Sequence, residues 1–196
     1  MLSWLRRRRD RSQERSRPEA SVSEEPVLSE RSEPLVRLAE RAMEEGRWDE
    51  AASFLEEVLR SHPTNILALN RLGETCICGG DFSRALDIYL RVGEVHEETG
   101  ALRKAVIAYR LALRIFPRNG DVATRLAGAL VKLGHSEEAS GYFRLALSIF
   151  DEHGRFAQVA RVLSYMVARA PCDPDLRVRL AETLLRIDRN VQAVEM

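Results

Sequence analysis

Residues 80–134 read GDFSRALDIYLRVGEVHEETGALRKAVIAYRLALRIFPRNGDVATRLAGALVKLG, and Gly80, Gly100, Pro117 and Gly134 within them decide the fold. Between these marks apolar residues recur at intervals of three and four, the spacing of one helical face, and each of these glycines stands where an apolar run stops. The same marks continue on both sides. Gly46 and Gly154 join the three central glycines at steps of 34, 20, 34 and 20 residues, a period of 54. Pro63, Pro117 and Pro171 keep that period, as do Leu72, Leu126 and Leu180, and Ala85, Ala139 and Ala193. Each proline follows a turn glycine by 17 residues, about where a four-turn helix stops, because proline has no amide hydrogen to carry the helix on. Each glycine supplies the left-handed residue that commonly closes a helix.

The pattern predicts short helices at 35–45, 48–61, 65–79, 82–99, 101–116, 120–133, 136–153, 155–170 and 174–187. A tenth is expected to start near 189, since the next step of 34 lands on Asp188, followed by Asn190. Short amphipathic helices at a fixed period stack into a solenoid. Composition agrees with an all-α chain: 45% of the 196 residues are hydrophobic, only 6% aromatic and 31% charged, which disfavours a large sheet. The 30 basic and 30 acidic residues cancel, so the chain as a whole lacks the positive surplus of a nucleic-acid binder.

Residues 1–33 have no apolar period and consist largely of Arg, Ser, Glu and Pro, a composition expected to be disordered. Within this arm residues 1–17 form a basic tip, with seven Arg against Asp10 and Glu14. Residues 18–33 form an acidic leash, with five Glu against Arg31. The tip suits three roles: a solvated tail, a contact with anionic membrane or nucleic acid aided by Trp4, or a ligand for the chain's own groove. Residues 34–196 are expected to form the repeat domain. No apolar run reaches the length of a membrane span and no signal-peptide core follows the first charges, so the expected location is cytoplasmic. Cys76, Cys78 and Cys172 are odd in number with no C-x-x-C spacing, which indicates neither a disulfide framework nor a zinc site.

Leu69, Leu72, Gly73 and Cys76 lead to Ala85 and Tyr89; Tyr89, Val92, Gly93 and His96 lead in turn to Ala105, Tyr109 and Pro117. These spacings follow W-x2-L-G-x2-Y, then A-x3-F, then P. Over about residues 34–196 the chain resembles the tetratricopeptide repeat family, with one departure: Tyr89 and Phe143 each serve two successive repeats. One helix in each 20-residue interval, 81–99 and 135–153, must then do the work of two.

The resemblance implies small residues where helices touch, at Ala39, Gly73, Gly93, Ala127 and Ala181. It also implies a concave groove that binds a protein or peptide, lined by Val36, Glu40, Met43, Glu44, Asn70, Glu74, Ile77, Leu90, Glu94 and Glu97. Across the whole matching face thirteen residues are acidic and three basic, which suits a basic partner segment. Where some members clamp a terminal carboxylate, this chain has Val36, Glu40, Asn70 and Glu74, of which only Asn70 fits, so that activity is not expected. The second helices carry Arg103, Lys104, Arg110, Arg114, Arg155, Arg161 and Arg169, a basic outer wall.

Chemistry is hard to find. His62, His96, His135 and His153 form no cluster at ligand spacing, and no phosphate loop, G-x-S-x-G or H-E-x-x-H occurs. The reading is a scaffold or adaptor, not an enzyme, with no cofactor, metal or small-molecule substrate. The alternative is a membrane-surface or nucleic-acid-associated protein using the Arg tip and the basic outer helices. The excess of 28 Arg over 2 Lys fits a GC-rich bacterial genome. A last helix carrying Leu184, Leu185 and Ile187 without a covering partner makes self-association a further expectation.

Overall fold

A computed structural model describes residues 32–170 and 172–194, and among the described residues it contains nine helices and no strand. They are α1 Ser32–Glu44, α2 Trp48–Ser61, α3 Ile66–Gly79, α4 Phe82–Glu98, α5 Leu102–Ile115, α6 Gly120–Lys132, α7 Ser136–Glu152, α8 Phe156–Arg169 and α9 Pro174–Val194. Pro171 and the arm through residue 31 lie outside the described residues.

The helix ends repeat with the 54-residue period because the capping chemistry does. Gly46, Gly80, Gly100, Gly134 and Gly154 all take positive φ, between 64° and 84°. After four of them the next amide reaches back to close the turn: Arg47 to the Ala42 carbonyl, Asp81 to Cys76, His135 to Leu130 and Arg155 to Phe150, all at 2.8–2.9 Å. At the proline turns His62, Phe116 and Ala170 end their helices with near-identical backbones, φ −125° to −133° and ψ 66° to 84°, outside the helical region that a following proline disfavours. The next helices then start on side-chain caps at the same interval: Asn65 accepts from the Ala68 amide (2.9 Å), Asn119 from Val122 (3.1 Å) and Asp173 from Leu176 (3.3 Å).

Each helix packs on its neighbours in the chain, and small residues let them approach. A Cβ at Gly73 would lie 3.0 Å from the Tyr89 ring; one at Gly93 would overlap the Tyr109 ring. Helix α4 brings Tyr89 onto α3 with its first half and receives Tyr109 from α5 on its second. The core runs the length of the stack in two clusters, centred on α1–α4 and on α6–α8, with Leu90 and Leu113 touching both.

Several ion pairs between non-adjacent helices join helices of one layer. Glu40 of α1 meets Arg71 of α3 at 3.0 Å, skipping α2. The first half of α4 belongs to the other layer, where Arg84 pairs with Glu56 of α2, and at mid-helix Arg91 donates to the Pro63 carbonyl at 2.7 Å. Its second half returns to the first layer, with Glu94 pairing to Arg125 of α6 at 2.7 Å and Glu97 to Lys132. Helix α7 does the same: Glu138 pairs with Arg110 of α5 at 2.5 Å, and Asp151 with Arg179 of α9 at 2.5 Å. Helices α4 and α7 thus cross from one layer to the other.

Two boundaries differ from the sequence reading. Helix α1 begins at Ser32, taking in Ser32 and Glu33 from the expected arm. Helix α9 runs unbroken through the turn expected near 188–190, because Asp188 stands where the earlier units have glycine and no left-handed residue stops the helix.

Candidate protein-binding face

Of the expected groove residues, Glu40, Met43, Glu44, Asn70, Glu74, Glu94 and Glu97 stand on the helices of the layer formed by α1, α3, the second half of α4, α6, the second half of α7, and α9. Glu40 and Glu74 converge on one guanidinium, that of Arg71, at 3.0 and 3.2 Å. Glu94 holds the place of Glu40 one period on, and Arg125 the place of Arg71. Arg179 completes that basic column in the third unit. Further along, Asp121 pairs with Arg155 at 3.0 Å and lies 3.6 Å from Arg161, and Glu152 pairs with Arg118.

The face is therefore a ladder of alternating charges. Arg71, Arg125 and Arg179 lay outside the positions counted from the sequence, although their spacing of 54 was there to be read. Arg155 and Arg161, placed on the outer wall by that reading, reach inward to Asp121 on α6 instead. Arg110 is matched by Glu138, so the outer wall is less basic than the sequence count implied. Arg103 and Lys104 are exposed.

The apolar contributors also change. Val36 and Ile77 belong to the core and cannot furnish groove contacts, because their sides of α1 and α3 are covered by neighbouring helices. Ala181, expected at a close helix contact, is exposed on α9. Met43, Asn70 and Leu90 are half-buried, Glu44 is exposed, and Leu67 is an exposed leucine on the same layer. On α9, Leu184 and Leu185 are 52% and 58% exposed, whereas Ile187 is half-buried.

Tyr109 is fully buried on α5, with its hydroxyl beside Glu97 and Arg125. Burial above all, then Glu97, pushes its ionisation well above the usual phenol range, with Arg125 opposing. Burial and then Asp81 push the Cys76 thiol up to about 11, which makes it a poor nucleophile. Burial, then Lys104, lowers the His96 pKa. Among the described residues no group of three or more His, Cys, Asp or Glu is arranged to hold a metal ion. None of the described helices is long and apolar enough to cross a membrane.

Residues 42–106 match the family model described as tetratricopeptide repeat, in agreement with this architecture. No curated protein matches the chain. Similar solved structures include a MamA crystal structure, 17% identical, with 79% of this chain and 97% of that one covered and a TM-score of 0.44. TTC0263, a thermophilic TPR protein in Thermus thermophilus, is 22% identical with 79% and 99% covered and a TM-score of 0.29. MamA 41-end from Desulfovibrio magneticus RS-1 is 18% identical with 62% and 76% covered and a TM-score of 0.34.

Proposed function

We propose, taking the tetratricopeptide repeats of this chain as the premise, that it is a protein-binding scaffold with no catalytic role, whose charged layer takes a partner segment bearing Arg or Lys. The observation that carries the reading is the half-exposed ladder of Glu40, Glu74, Glu94 and Glu97 with Arg71, Arg125 and Lys132. Pairs this exposed contribute about 0–1 kcal/mol, so an incoming guanidinium can share or replace a partner at little cost. From α1 to α6 the layer sets Glu40, Glu44, Glu74, Glu94, Glu97 and Glu98 against three cations, an excess of negative charge that favours a basic segment. Met43 and Leu67 supply the apolar part of the contact.

The test is binding of labelled Arg-rich and Glu-rich peptides of equal length to the full chain at two salt concentrations. Arg-rich peptides should bind, more weakly at high salt, and a Glu40→Gln, Glu94→Gln, Glu97→Gln variant should lose most of that binding while melting normally. Equal binding of both peptides, or an unaffected variant, would contradict the reading.

The same reading places the chain in the cytoplasm, where thiols such as Cys78 and Cys172 stay reduced. The exposed Leu184 and Leu185 support self-association through α9. Sedimentation of the wild type against Leu185→Glu tests it: a concentration-dependent mass lost in the variant supports it, and a monomer throughout removes it.

A further inference from the structure

Leu38 of α1 is 45% exposed, whereas Val92 of α4 and Ala146 of α7, one and two periods on, are 2% and 0% exposed. Leu184 of α9 is 52% exposed, whereas its counterparts Cys76 of α3 and Leu130 of α6 are 5% and 1% exposed. The two differences have one origin. In the interior α4 packs on α3 and α7 packs on α6, so that Val92 shares a core cluster with Cys76, and Ala146 with Leu130. Among the described residues no helix precedes α1 and none follows α9, so each leaves one side of that repeated interface open. The side that α1 presents is the one that α9 lacks.

The register of the internal pairs fits the two open faces. Val92 and Ala146 stand 16 residues after Cys76 and Leu130, and Tyr89, whose ring lies against Gly73, stands 16 residues after that glycine. Continued over three periods, the same step matches Leu38 to Leu184 and Leu35 to Ala181. Each match sets an apolar side chain of α1 against an exposed apolar residue of α9.

We propose that α1 of one molecule packs on the open face of α9 of a second copy, reproducing between chains the α3–α4 and α6–α7 contacts. The inference rests on the reading of α9 as a self-association surface, and it names the mate of that surface. The two faces differ and lie at opposite ends of the stack, so the contact is head-to-tail. Each added copy leaves one α1 and one α9 free, and assembly continues instead of closing at a dimer. Because α1 and α9 both belong to the charged layer, that layer runs on from copy to copy. The contact is weaker than its internal models: Leu35 is smaller than the Tyr89 ring, and Arg41, exposed and paired with Glu45 at 3.1 Å, stands where Val95 and Ile149 are buried. Assembly is therefore reversible and set by concentration.

The experiment is sedimentation of the full chain as wild type, as Leu38→Glu, as Leu184→Glu and as an equimolar mixture of the two variants. Both substitutions replace exposed side chains, and melting curves matching the wild type verify the fold. Wild-type mass should rise with concentration past that of a dimer, and each variant alone should lose that growth. The mixture should recover association but stop at the dimer, because one variant offers an intact α9 and the other an intact α1. A mixture that stays monomeric overturns the pairing. Growth retained by Leu38→Glu and lost in Leu184→Glu also overturns it, and leaves α9 pairing with itself. A wild type that is monomeric throughout overturns both the pairing and self-association through α9. If either variant melts low, Leu38→Cys and Leu184→Cys in separate chains whose native cysteines are replaced by alanine decide the matter. A mixed disulfide formed in preference to either homodimer supports the pairing, and homodimers or no cross-link overturn it.

Discussion

Helices α2, α5 and α8 hold one station each in the stack, whereas α4 and α7 hold two, and the sequence interval shows how. The 20-residue step between turn glycines is shorter than the 34-residue step by 14, which is the length of α2, α3, α5 or α8. A whole helix is missing from each short interval. What remains is a helix of 17 residues, about one turn longer than its neighbours, whose first half packs in one layer and whose second half packs in the other. Glu56–Arg84 and Glu94–Arg125 mark the two layers at the two ends of α4. A repeat can thus shed one helix and keep its glycine phase, provided that the remaining helix packs in both layers.

The largest test of that difference is removal of the rings that seat the two halves of α4. Tyr89→Ala and Tyr109→Ala should each cost about 3–5 kcal/mol, read from urea midpoints at unchanged slope. A cost below about 1 kcal/mol for either would mean that only one half of α4 is anchored. Next, Gly93→Ala drives a methyl into the Tyr109 ring and should cost about 1–3 kcal/mol. Gly128→Ala on single-station α6, where an added Cβ meets nothing within 4 Å, should instead stabilise by about 0.5–1 kcal/mol.

The smallest effect is a pH dependence confined to α4. His96 is buried there, and its repeat counterparts are Ala42 and Phe150. Its folded pKa lies below the unfolded value of 6.5, so its neutral form is favoured in the fold. That contribution is complete above pH 6.5 and is lost as the pH falls through the lowered folded value. The melting temperature should drop on acidification from about pH 7 to about pH 5, and less so in His96→Phe.

Much of this architecture could be read from the sequence because the signals were backbone signals. Five glycines had to adopt positive φ and three prolines had to end helices, whatever surrounded them, and eight of the nine helices fall within a few residues of their expected bounds. The ninth did not, because Asp188 is only a place in a count and lacks the glycine that made the other places turns. The face was less legible. Val36 and Ile77 sit at positions that one helix alone would leave open, and a neighbouring helix covers them. Arg71 and Arg125 sit just off the counted stripe, yet long side chains carry their charge across to the next helix of the layer. Burial and ion pairing depend on what lies opposite, which no single helix encodes.

The central claim is that α4 spans both layers, and spin-label distance measurements test it most directly. Labels would be placed in the cysteine-free chain at positions 56 and 84 in one sample and at 94 and 125 in another. Short distances in both samples are the predicted result. A short distance in one and a long, broad distribution in the other would show α4 confined to a single layer, and the continuous charged face would not exist.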